Sequence, residues 1–280
     1  MTILLAAIVG AALSGNTLYT WGDRLASWTL PKLQRKILAT PAADFGAAGC
    51  LDGAGRGLFL QEGDRLVYRS EPDWNARTMD RGIDMSDCLA ITLLGRIGVF
   101  VLQRGMQLRF YEGVHYTEIY SFYSASRQSG LILHDIDGDG HPDIFCGNYW
   151  MRSPGAFDMP WHIFTMELYN QEPRSASLRM TLERKDLIVA QGELADGLVS
   201  RLRKPNDPKQ LWIEEKIGAF HYPRALAAGA PGILIGEDNG PHSRIFLNGK
   251  TVGETEGLRA AFAYKRGFVL AGRDTVYLRK

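Results

Sequence analysis

The sequence predicts an all-β chain, a seven-bladed β-propeller forming one domain over residues 1–280. Three observations predict it. A pattern repeats through the chain, each copy opens with a short strand of buried type, and the turns suit tight hairpins. In each copy a Gly or Asp opens an apolar run, a polar turn follows, and a second alternating run often holds Tyr or Phe.

The copies open at Gly10, Gly57, Gly98, Asp143, Asp186, Gly232 and Gly267, and these starts differ by 47, 41, 45, 43, 46 and 35 residues. A four-stranded blade needs a repeat of about that size. The run after each start is rich in Val, Ile, Leu and Phe and only a few residues long, as a buried strand requires. The turns carry Gly-Asn, Gly-Asp, Asp-Asn-Gly and Gly-Arg-Asp, which supply the positive φ of tight hairpins. A further apolar stretch precedes each later start: Ala43–Leu51, Cys88–Leu94, Leu131–Ile136, Leu178–Leu182, Ala225–Ala230 and Ala260–Tyr264. These are the expected innermost strands, and their small residues suit a crowded centre. The best helical segment, Pro31–Leu38, is one or two turns long, and Arg201–Lys209 reads as a long hairpin turn in the fifth blade. Met1 leads almost directly into the first unit and Lys280 follows the third strand of the last. Either the last blade is short or the register is off by one strand, with six or eight blades as the alternatives.

Composition narrows the function classes. Lys and Arg number 32 and Asp and Glu 31, for a formal net charge of +1. No global field steers such a chain to nucleic acid or anionic lipid. The apolar stretch Met1–Leu13 has no basic residue before it and is too short to span a membrane as a helix. It reads as a retained strand pair of a chain that does not span a membrane, which favours the cytoplasm over secretion; a monomer is expected. Cys50, Cys88 and Cys146 lie in apolar runs without a CxxC pair and read as buried thiols. A phosphate loop, GxSxG, HExxH and a strand-borne GxGxxG are all absent from the sequence.

The strongest local signal is His134-Asp135-Ile136-Asp137-Gly138-Asp139-Gly140-His141-Pro142-Asp143, a DxDxDGxxD pattern. Calcium takes roughly six to eight hard oxygens, and alternate Asp residues in a tight loop aim their carboxylates at one centre. Gly138 and Gly140 let the backbone curl, the His141 carbonyl adds an oxygen, and Asp143 closes the shell. Without a cation these clustered carboxylates repel. The metal ligands expected for structural Ca2+ are therefore Asp135, Asp137, Asp139, His141 and Asp143. An EF-hand is excluded, because Cys146 stands where its twelfth-position Glu belongs.

The segment HDIDGDGHPDIFCGN resembles an FG-GAP or VCBS repeat. The resemblance implies a β-propeller of integrin-head type with structural calcium on the face opposite the usual ligand face. It covers about this one repeat, and Asp52-Gly53-Ala54-Gly55 looks like a copy that has lost most of its ligands. The family includes adhesion modules, lectin-like domains and some carbohydrate lyases, so it implies no single activity. GNYWMRSPG also resembles a GNxWxxNPG-like stretch of sugar-handling propellers, with Ser153 where that pattern has Asn.

Ligand contacts are expected from enlarged turns between second and third strands. The fourth blade offers Asn148, Tyr149 and Trp150, with Trp161 at the end of its insertion, and the sixth offers Asp238 and Asn239. Aromatic faces stack on sugar rings while polar groups take the hydroxyls. The leading expectation is a calcium-stabilised module that binds a carbohydrate or a protein. The alternative is a polysaccharide lyase-like enzyme at the channel mouth, with His221, Arg224, Glu237 and His242 as base, acid and charge neutraliser.

Overall fold

The computed structural model describes residues 8–123, 128–157, 159–166 and 178–279. Its strands form seven antiparallel sheets in chain order, six of four strands and a seventh of three among the described residues. The first runs from Ile8–Ser14 to Gln34–Ala39, the second from Phe45–Leu51 to Arg77–Arg81 and the third from Met85–Leu93 to His115–Phe122. The fourth runs from Leu131–His134 to His162–Thr165, the fifth from Leu178–Glu183 to Ile213–Phe220 and the sixth from Ala225–Gly229 to Lys250–Thr255. The seventh comprises Leu258–Tyr264, Gly267–Gly272 and Val276–Arg279. The only helical element among the described residues is the 3-10 turn Gly240–His242. No helix among them is long and apolar enough to cross a membrane.

The second strands carry the core. Asp143–Cys146 and Gly267–Gly272 are buried at every position, whereas the fourth strand Gln34–Ala39 is exposed over its first four. This gradient explains the continuous apolar runs in the sequence: a strand covered on both faces cannot alternate. The chain divides into two compact units. Met1–Met85 with Arg224–Lys280 holds the first, second, sixth and seventh sheets, and Ser86–Pro223 holds the third, fourth and fifth.

Six of the seven repeat starts lie in second strands, but Gly10 lies in the first strand of its sheet. The second strand there is Thr17–Gly22, so the first copy begins one strand later than Gly10. Thr17 replaces the Gly or Asp that opens the other copies. The correct alignment places Gly22-Asp23-Arg24-Leu25 against Gly63-Asp64-Arg65-Leu66, two hairpins of the same sequence. The first and seventh sheets then pack directly, with Leu18, Leu30, Val269 and Val276 buried between them. The Tyr264 hydroxyl donates to Asn16 Oδ1 at 2.8 Å, and the Ile8 amide donates to the Arg273 carbonyl.

The apolar runs around the three cysteines predict buried thiols, but the three are not all thiols. Cys50 and Cys88 are disulfide-bonded, and Cys146 is the free thiol. Burial, with Asp87 adding to it, pushes the Cys146 thiol far up, so it is an inert core residue.

Candidate functional site

The acidic loop joins the first and second strands of the fourth sheet. Gly138 and Gly140 have φ of +80° and +87° with open space where a Cβ would stand, so conformation alone demands glycine. Ile136 is fully buried and anchors the loop in the core, and Lys204 Nζ donates to its carbonyl at 2.7 Å. Carboxylate oxygens of Asp135, Asp137 and Asp143 lie within 4.8 Å of one another.

Backbone amides hold these acids in place. Asp135 accepts from the Gly138 and Gly140 amides at 2.8 and 3.1 Å. Asp143 accepts from Ile136 at 2.9 Å and from Ser153 at 2.8 Å. Burial pushes the Asp143 carboxyl up, and the charge of Asp137 adds to this, against the pull of the amides. The His141 amide, followed by Arg152, holds Asp139 below the ordinary carboxylate value. Asp139 stands outside the convergent trio. Arg152 holds it instead, with Nη2 3.0 Å from Asp139 and Nε 2.6 Å from Asp137. The repulsion foreseen among four bare carboxylates is thus relieved by an arginine that sequence reasoning passed over. The trio offers three carboxylate oxygens, donors of the hard kind that calcium takes. Among the described residues the buried Ser153 Oγ has no hydrogen-bond partner. The related turn at Asp52 is closed differently, by the Ala54 and Arg56 amides at 3.1 and 2.9 Å and the Tyr68 hydroxyl at 2.6 Å.

The turn after the second strand of the sixth sheet brings together Arg224, Glu237, Asp238, Asn239 and His242. Glu237 is fully buried, and both its oxygens accept from Arg244, at 2.8 and 2.9 Å. Asp238 Oδ2 accepts from Arg224 at 2.8 Å and from Arg259 at 2.6 Å, and Arg273 stands 3.6 Å from Oδ1. Asn239 and His242 are exposed, and the Asn239 amide donates to Ser243 Oγ at 2.8 Å. His221 belongs to the other unit, where its ring meets Tyr222 edge-on with centroids 4.7 Å apart. Arg244, Arg259 and Arg273 were missed. One signal was legible: Glu62 pairs with Arg69 at 2.9 Å in the second sheet, with the same spacing of seven residues as Glu237 and Arg244.

The aromatic surface expected in the fourth sheet is not formed by its two tryptophans. Tyr149–Arg152 is itself the third strand, and the turn before it is only Gly147-Asn148, so the insertion follows the third strand. Trp150 is fully buried, stacks on Phe164 at 4.6 Å and donates its indole N–H to the Pro208 carbonyl at 3.1 Å. Trp161 is 6% exposed and meets Phe100 edge-on at 6.1 Å. Tyr149 is half-buried against Phe122 at 5.2 Å. Asn148 donates its amide to Gln128 Oε1 at 3.0 Å, while its own Oδ1 has no partner among the described residues.

Solved structures resemble this architecture over nearly its whole length. Hydrazine synthase of Kuenenia stuttgartiensis matches with a TM-score of 0.66 at 11% identity, covering 100% of this chain and 97% of that one. The Cps50 (Swd1) β-propeller domain of Myceliophteria thermophila matches with a TM-score of 0.64 at 13% identity, covering 99% and 97%. The fold is a seven-bladed β-propeller. Identities this low show the fold alone, since one fold hosts many functions. No family model matches the sequence, and no curated protein matches it.

Proposed function

We propose that this propeller is a calcium-stabilised, non-catalytic binding module for a protein or carbohydrate ligand that carries carboxylates. One observation supports the reading most. The acids at the ligand-side turn of the sixth sheet are committed to arginines: Glu237 to Arg244, and Asp238 to Arg224 and Arg259. A lyase-like site needs a carboxylate or imidazole free to take a proton. Glu237 and Asp238 instead orient guanidinium forks, and planar forks recognise carboxylates in two-point fashion. Arg273 is half exposed and open to such a contact. With Trp150 and Trp161 in the core, flat stacking of neutral sugars has little support, which favours acidic sugars or acidic protein segments. Calcium at Asp135, Asp137 and Asp143 would hold the fourth sheet's turn and would take no part in recognition.

A thermal-shift screen of calcium-loaded protein against uronate oligosaccharides, neutral oligosaccharides and acidic peptides tests this. A concentration-dependent rise with one acidic class, lost in Arg273→Ala, is expected, because a ligand of the folded state alone stabilises it. A response to neutral sugars only, or turnover of any panel member, would overturn the reading.

A further inference from the structure

We propose that Arg152 is a built-in counter-cation of the acidic loop and that a divalent cation enters the loop by displacing it. The inference rests on the calcium reading above and concerns a residue that reading does not use. Arg152 ends the third strand, opposite His162 in the ladder. Its guanidinium reaches across to the loop, with Nε 2.6 Å from Asp137 Oδ2 and Nη2 3.0 Å from Asp139 Oδ2. Asp137 belongs to the convergent trio and Asp139 does not. The arginine therefore pairs with one member of the trio and holds back the acid that would complete the set.

A dication and a guanidinium on the same carboxylate repel each other. The arginine is the one that can leave, because its side chain is 39% exposed and a long stem carries its head to water at small cost. The neighbouring chain stays fixed as it goes. Ser153 donates its amide to Asp143 at 2.8 Å, and Phe157, further along, packs on Phe110 with centroids 4.6 Å apart. The loop thus has two closed forms, one sealed by arginine and one by metal, and the first lowers the apparent affinity of the second.

Calorimetric titration with calcium chloride on the wild type, Arg152→Gln and Arg152→Lys, joined to 15N spectra of arginine Nε–H groups in the wild type, tests this. Circular dichroism confirms that each variant folds, and R152K keeps the test open should R152Q fail to. R152Q is expected to bind calcium several-fold tighter than the wild type, with R152K between them. Saturating calcium should move the Arg152 Nε–H resonance toward that of a water-exposed arginine. Equal or weaker binding by both variants, or an Arg152 signal indifferent to saturating calcium, would overturn the displacement and leave the calcium site standing. No calcium binding by the wild type or either variant would remove the calcium reading itself.

Discussion

Glu62 sits fully buried between Arg69 at 2.9 Å and Arg65 at 3.3 Å, and the Ala42 amide donates to it at 2.6 Å. Burial pushes its carboxyl up, but the Ala42 amide and the two guanidiniums outweigh this and hold it below the ordinary 4.5. A carboxyl lowered in the folded state stabilises the fold above its unfolded value, and that stability is lost as pH falls through the folded value. The melting temperature of the wild type should therefore drop as pH is lowered below about 4.5. Glu62→Gln should show a shallower slope over the same window, and parallel slopes would count against the pairing. Glu62→Ala strands a buried guanidinium and should cost about 3–5 kcal/mol in urea unfolding. The repeat made this pair legible in principle. In its second copy Glu237 reads as chemistry and Arg244 is passed over, because an acid near a loop looks the same in sequence whether it faces solvent or an arginine.

Among the elements, the acidic loop was the most legible, because liganding acids and positive-φ glycines leave a spaced pattern in the chain itself. Gly138→Ala introduces a Cβ at φ +80° without a clash, so the cost is conformational, about 1–2 kcal/mol. Urea unfolding of G138A should show that loss, and a larger one in calcium than in EDTA. Arg152 was not legible, since a residue thirteen and fifteen positions from the acids it pairs with enters the loop only through strand pairing. The fourth sheet's aromatics failed for a related reason. Tyr149-Trp150-Met151-Arg152 alternates too briefly to separate a turn from a strand, and the pairing of Trp150 with Phe164 decides that it is a strand. The first strand misled because Thr17 opens its copy without the Gly or Asp that opens the others.

For the molecule as a whole, the spacing of the repeats foretold seven sheets, and the last of them has three strands among the described residues. Within the first unit, closure rests on side-chain packing between the first and seventh sheets, which a reading of single copies does not reach. Leu18→Ala, in that seam, should cost about 2–5 kcal/mol and lower the melting temperature with the transition still cooperative across the first unit. A cost below about 1 kcal/mol would mean the seam carries little of the fold's stability. We propose that the acidic loop binds a stabilising calcium ion. Scanning calorimetry of the wild type and Asp135→Asn, each in excess calcium and in EDTA at neutral pH, tests it most directly. The wild-type melting temperature should rise with calcium concentration, and the rise should be largely lost in D135N. A wild type that melts at the same temperature in calcium and in EDTA would contradict it.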